Sequence, residues 1–136
     1  MSKRLFELIL AIKYRCQRNE EQIQKELGLS QAEFNGLIVL DEGREMSGCA
    51  FAAGMGLSAS RGSRVLSKLV SDGYVKADVS KDDRRAVSIS LTAKGRKAKR
   101  QINDSMAACE KRLSNRLDRR SLQQVTQALE LLNAAL

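Results

Sequence analysis

The 136-residue sequence predicts a mainly α, α+β chain, with helices towards both ends and a single β-hairpin between them. Three observations predict it. Apolar residues recur at three- and four-residue spacings over most of the length, and serine or threonine stands ahead of several of these runs. Only two short stretches, Tyr74 to Val79 and Ala86 to Leu91, alternate instead, and a polar, charged turn separates them. No proline interrupts the helical periodicity.

Residues 2–27 read as a first helix capped by Ser2. Leu5, Leu8, Ile9, Ile12 and Cys16 form its stripe, Phe6 and Leu10 widen it, Asn19-Glu20-Glu21 marks a break, and Gly28 ends it. Ser30-Gln31-Ala32-Glu33 has the spacing of a capping box. The helix it opens carries Phe34, Leu37, Ile38 and Leu40, stops near Gly43, and is central by its apolar content. Glu45-Met46 suits a short strand, and Ser47 caps a small helix from Gly48 to Met55. After the tight turn at Gly56-Leu57, Ser58 is the N-cap of a helix running to about Asp72. Gly62, Val65, Leu66, Leu69 and Val70 lie on one face of that helix, and Ser60, Arg61, Ser63, Arg64, Ser67 and Lys68 largely on the other. A mid-helix glycine costs about 1 kcal/mol relative to alanine, which close approach to the preceding small helix would offset. Two short helices, a tight turn and a small residue at the crossing are the parts of a helix-turn-helix, and the hairpin that follows is its wing. Thr92 then caps a long helix, Ala93 to Leu117, with Ile102, Met106, Cys109, Leu113 and Leu117 on its seam. Ser121 and Gln124 form a second capping box for a last helix, with Leu122, Val125, Leu129, Leu132 and Leu136 inside.

The chain has no histidine, which removes the commonest general base and transition-metal ligand; no Ser/His/Asp set, HExxH or phosphate-cradling glycine loop is present, so an enzyme is not expected. Three dispersed cysteines without a CxxC pair argue against a zinc ribbon or a disulfide framework, and no cofactor is implied. No apolar run is long enough to span a bilayer, and Lys13 and Arg15 interrupt that of the first helix, so neither a membrane segment nor a signal peptide is expected and the cytoplasm is the default location. The formal charge of +8 is localised: residues 58–100 hold 12 basic against 4 acidic residues, whereas 1–57 hold 7 against 8 and 101–136 hold 5 against 4. A basic excess confined to one helix, one hairpin and the start of the next helix points to a polyanion, and with the serines interleaved on the helix and hairpin to double-stranded DNA.

On that surface Arg61 and Arg64, one turn apart, suit bidentate contacts to guanine in a major groove. Ser58, Ser60 and Ser63 suit phosphate or base contacts, and Lys68, further along, a backbone phosphate. At the wing, Lys81, Arg84 and Arg85 suit approach to a minor groove, with Asp82 or Asp83 pairing an arginine to fix the turn.

The order of elements and the run Asp83-Arg84-Arg85-Ala86-Val87-Ser88-Ile89-Ser90-Leu91-Thr92-Ala93-Lys94-Gly95 resemble the MarR family of winged helix-turn-helix transcriptional regulators; Asp83, Arg85, Ile89, Leu91, Thr92 and Gly95 match its wing signature. Gly56-Leu57-Ser58, Ser63-Arg64, Leu69 and Gly73-Tyr74-Val75 stand where that family has its turn, recognition helix and first wing strand. The resemblance implies a winged-helix DNA-binding part at 30–92, and a homodimer whose dimerisation part is built from the helices at 1–27 and 93–136. It implies binding to an inverted repeat, usually as a repressor, and in many members release by a small-molecule ligand. Phe34, Ile38 and Tyr14 are the residues that would line such a ligand pocket, unless they serve as core. Ala77-Asp78 depart from the basic residue the family carries after Gly-Tyr-Val, and Ala50, Ala53 and Gly54 leave the small helix bare. Some members sense oxidants through cysteine. Here Cys49, in the first turn of a helix, and Cys16, among Lys13, Arg15 and Arg18, are the redox candidates, although Cys16 on its apolar stripe reads first as a packed thiol. Two alternatives stay open: a thiol-based oxidant-sensing regulator, and a protein-interaction module on the same scaffold that reads no DNA.

Overall fold

The computed structural model describes residues 4–79 and 87–136. Along the chain run α1 (Leu5–Leu27), α2 (Gln31–Val39), β1 (Met46–Ser47), α3 (Gly48–Gly54), α4 (Ala59–Ser71), β2 (Val75–Val79), β3 (Val87–Leu91), α5 (Ala93–Arg116) and α6 (Arg119–Ala135). The predicted α+β class, with its helix-turn-helix and wing strands, is the one observed. The chain divides into two compact units, one ending at Ile102 and the other Asn103–Leu136. The first unit therefore takes in the opening turns of α5, ten residues beyond the expected boundary at Thr92. Among the described residues no helix is long and apolar enough to cross a membrane.

The first unit holds the core. Phe34, Leu37 and Leu40 from the α2 region meet Phe51 of α3, Leu69 of α4, Tyr74, Val75, Ile89 and Leu91 around the sheet, and Ala98 and Ile102 of α5. The three strands are antiparallel in the order β1-β3-β2, with Met46 opposite Ile89, Val75 opposite Leu91 and Val79 opposite Val87. That register turns Val87, Ile89 and Leu91 to one face, as their alternation predicts, and Ile89 is fully buried at the centre.

Several local expectations need correction. α1 is unbroken through Asn19-Glu20-Glu21, because polar residues on an exposed helical face do not interrupt the backbone; Gln17 even donates to Glu21 one turn on, at 3.3 Å. Only Ile23 of α1 is buried, and Leu5, Phe6, Leu8, Ile12, Tyr14 and Cys16 are exposed, so the apolar stripe is real but uncovered within its unit. Cys16 is accordingly not a packed thiol. The expected cap Ser2 lies outside the described residues. α2 ends at Val39, short of Gly43, where buried Leu40 takes extended backbone. The Lys99 ammonium supplies donors to the freed carbonyls, at 2.9 Å to Leu37 O and 2.7 Å to Ile38 O. Of the residues assigned to a ligand pocket, Phe34 is core, while Ile38 and Tyr14 are open to solvent.

In the second unit α6 begins at Arg119 rather than Ser121. Asp118 is its cap, accepting from Ser121 N at 2.7 Å, so the expected serine cap is in fact the third helical residue. No residue of α6 is buried; Val125, Leu129 and Leu136, expected inside, are exposed, as are Met106 and Leu113 on α5. A cavity of about 550 Å³ lies along one face of α6, lined by Arg119, Leu122, Gln123, Thr126, Gln127 and Glu130.

Candidate nucleic-acid interface

α4 begins at a sharp turn. Ser58 caps it, its Oγ accepting from Arg61 N at 3.3 Å and standing 3.4 Å from Ser60 Oγ. The packed side of α4 is set by Gly62. A Cβ added there would lie 2.5 Å from Ala52 Cβ, so any larger residue would push α3 and α4 apart. With Gly62 and Leu69 buried and Val65 and Leu66 half-buried, the helix has no freedom to roll, and Ser58, Ser60, Arg61, Ser63, Arg64 and Lys68 are all exposed on its outer side. Val70, expected on the packed face, is 41% exposed, because it lies a third of a turn past Leu69 at the edge of that face.

The exit of α4 is pinned as firmly as its start. Thr92 Oγ1 donates to Gly73 O at 2.6 Å and accepts from Gly95 N at 3.1 Å, thereby capping α5 while holding the α4–β2 turn. Thr92 N donates to Tyr74 O at 3.0 Å. A Cβ at Gly95 would overlap that same Tyr74 carbonyl, so glycine is required for α5 to pass so close. Lys94 donates to Asp72 O at 2.7 Å, with its ammonium 4.4 Å from the centre of the Tyr74 ring. The Leu-Thr-x-x-Gly run at Leu91–Gly95 is thus a joint that ties the hairpin strands, the end of α4 and α5 together. Arg96, donating to Leu91 O at 3.1 Å, and Arg100, 2.9 Å from Glu42, extend it.

Of the predicted wing residues, Lys81, Arg84 and Arg85 lie outside the described residues, as do Asp82 and Asp83. On the described part of the wing, Lys76 and Asp78 form an exposed pair at 3.5 Å, and β2 beyond Val75 is open to solvent. Cys49 is exposed on α3, and among the described residues no three acidic or cysteine side chains come together as a metal site.

Two buried charged residues were missed. Glu33 is 2% exposed although it belongs to a capping box; Ser30 N and Ser30 Oγ donate to its Oε1 at 3.2 and 3.1 Å, and Lys68 Nζ stands 3.7 Å from the same atom. Lys68, expected to meet a phosphate, is therefore engaged within the protein. The second missed residue is Lys99, 7% exposed, whose pKa burial pushes below the ordinary lysine value, with Asp41 opposing. The signal was present in both cases: Glu33 shares a face with Leu37, and Lys99 falls between Ala98 and Ile102, so each stands on a buried stripe.

A family model described as a winged helix DNA-binding domain matches residues 53–95, from α3 through the start of α5. No curated protein sequence matches the chain. Among solved structures, the chain of the S. aureus MepR–DNA complex is 16% identical and superimposes with a TM-score of 0.86, covering 99% of this chain and all of that one. A MarR transcriptional regulator from Methanosarcina mazei Go1 is 22% identical with a TM-score of 0.78, covering 98% of this chain and 96% of its own. The reduced form of MarR from E. coli is 19% identical, also at 0.78, covering 97% and 98%. The fold is the MarR-type winged helix. In winged-helix terms α3 and α4 are the helix-turn-helix, and β2 and β3 are the strands of the wing.

Proposed function

We propose that this winged-helix chain is a sequence-specific DNA-binding transcriptional regulator of the MarR type, a homodimeric repressor on an inverted-repeat operator that is released by a small-molecule effector. The observation that carries the reading is the outer side of α4, where Ser58, Ser60, Arg61, Ser63 and Arg64 stand exposed on a helix fixed at both ends. Such a helix can enter a major groove without reorganising, so the cost of ordering side chains and backbone on binding is small. The concentration of positive charge in residues 58–100 and the likeness to a chain solved in a DNA complex support the same reading. The dimer is supported by the uncovered apolar residues of α1 and of Asn103–Leu136, faces that a second copy would bury.

The test is binding of the purified protein to its own upstream DNA against scrambled DNA, titrated in salt. Selective binding whose log K falls steeply with log salt is expected. Weak binding that ignores sequence overturns the base-reading role and favours the protein-interaction module. The exposure of Cys49 favours thiol oxidation as a second reading, whereas Cys16, exposed in one chain, lies on the α1 stripe that a second copy would bury. Release from DNA by hydrogen peroxide, abolished in the Cys16→Ser or Cys49→Ser variant, would establish it.

A further inference from the structure

We propose that Glu33 is a positioning residue for DNA reading: its buried carboxylate holds Lys68, so that Lys68 fixes the recognition helix against α2 instead of neutralising a phosphate. The inference rests on the DNA-binding reading above and deepens it.

A glutamate at the third position of a capping box ordinarily sits at the surface, where water completes its hydrogen bonds. Glu33 does not. Its Oε1 receives Ser30 N and Ser30 Oγ, its Oε2 is buried with no hydrogen-bond partner, and Lys68 Nζ, 3.7 Å from Oε1, is the cation that faces it among the described ion pairs. The carboxylate also acts on Tyr74, raising the phenol's pKa after burial and ahead of Asp72. A buried carboxylate stripped of its counter-charge is strongly destabilising. For Lys68 to swing out to a phosphate, Glu33 would have to bear that state. Lys68 is on α4 and Glu33 on α2, so the pair ties the solvent-facing side of α4, which also carries Arg61 and Arg64, to α2 in addition to the apolar packing on its other side.

The experiment compares Glu33→Gln, Lys68→Met, Lys68→Arg and the Glu33→Gln/Lys68→Met double variant with wild type, measuring affinity for a selected operator and for scrambled DNA across a salt series. Glutamine keeps the capping box and removes only the charge. The expected result is that Glu33→Gln and Lys68→Met each lower the ratio of specific to non-specific binding, that neither changes the salt slope, and that Lys68→Arg restores the ratio. If Lys68 instead meets a phosphate, Lys68→Met removes one contact from each protomer, reduces the slope by about 1.8 for the dimer and weakens all sequences alike, while Glu33→Gln tightens binding by freeing the lysine; either result overturns the proposal. Thermal unfolding of wild type, Glu33→Gln, Lys68→Met and the double variant without DNA gives an independent readout. A double-variant loss in Tm smaller than the sum of the single losses supports the pair, and strict additivity overturns it. If wild type binds no DNA selectively, the regulator reading fails, and the unfolding cycle still decides whether Glu33 and Lys68 are coupled.

Discussion

The first unit and the Asn103–Leu136 unit solve the problem of hydrophobic periodicity in opposite ways. In the first, the apolar faces of α2, α3, α4, the sheet and the opening turns of α5 close on one another, and Phe34, Leu37, Leu40, Phe51, Leu69, Ile89 and Ile102 are essentially inaccessible. In the second, the sequence period is just as regular, yet α6 buries nothing and the residues of α5 that are buried, Gly95, Ala98, Lys99 and Ile102, all precede Asn103. A regular stripe therefore says that a face will be covered but not by what. From α2 onward the first unit covers its own; in α1 Leu5, Leu8 and Ile12, and in the second unit Leu113, Val125 and Leu129, remain as material for another surface.

The largest effect should separate the two. Ile89→Ala removes a fully buried side chain at the centre of the sheet and should cost about 2–5 kcal/mol, the same at every protein concentration. Leu129→Ala, half exposed in one chain, should cost less than about 1 kcal/mol in dilute solution, where only its exposed area is at stake, and should make the urea midpoint depend on concentration differently from wild type. Denaturation of both variants at two concentrations checks this. A concentration-independent loss of several kcal/mol in Leu129→Ala would mean that its face is covered within the chain, and the contrast would collapse.

Next come the side chains that use the rigidity of the first unit. Arg64→Ala should lose about 1–3 kcal/mol of discrimination between operator and scrambled DNA, with non-specific binding falling far less. Equal loss on all sequences, in a competition assay, would remove Arg64 from base reading. Thr92→Ala deletes both the α5 cap and the bond to Gly73 O, and should cost about 1 kcal/mol of stability. It touches no candidate contact residue, so any accompanying fall in DNA selectivity measures how far the Leu91–Gly95 joint sets the recognition helix. Thr92→Ser, which keeps the hydroxyl, should recover most of both.

How much of this could be read from the residues depends on the distance between partners. The Ser30/Glu33 box, the Ser47 and Ser58 caps and the Thr92 start of α5 are local, three residues wide, and all four stand where the spacing places them. The shared face of Val87, Ile89 and Leu91 followed from alternation alone. Gly62 was legible as a close crossing because glycine inside a helix demands a reason, and Ala52 is that reason. What was not legible is long-range. Lys99 reads as one more basic residue of a basic stretch until Leu37 and Ile38, more than sixty residues away, present their carbonyls to it. Nothing in the sequence pairs Lys68 with Glu33, thirty-five residues earlier, yet their charged groups stand 3.7 Å apart. In the last helix Ser121 won the cap on paper because it heads a capping-box pattern, whereas Asp118 accepts the bond in fact.

The smallest expected effects are in pH, and they too divide the units. Asp118, in the second unit, has its pKa lowered by the hydrogen bond from Ser121 N. The unfolded carboxyl takes up a proton first, near its ordinary 3.8, so the cap's contribution is complete above that pH and is lost as pH falls through the folded value. In the first unit the sensitivity is alkaline. Burial, then Glu33 and Asp72, raise the Tyr74 phenol, so its contribution is present below 10.0 and is lost as pH rises through the folded value. Lys99 runs the other way: with its pKa lowered, the unfolded chain holds a proton the folded one has released, and stability rises with pH between the folded value and 10.5. Hydrogen exchange at the first-turn amides of α6 should therefore lose protection in acid in wild type but not in Asp118→Asn, which keeps a cap that cannot titrate. In a Tyr14→Phe background, where Tyr74 is the one remaining tyrosine, tyrosinate absorbance should titrate above 10.0. Glu33→Gln should bring that midpoint down, because removing the carboxylate's charge leaves burial and Asp72 as the causes of the shift. A midpoint that ignores Glu33→Gln would place the carboxylate too far from the ring to act on it, and with that would go the picture of one charged cluster behind the recognition helix.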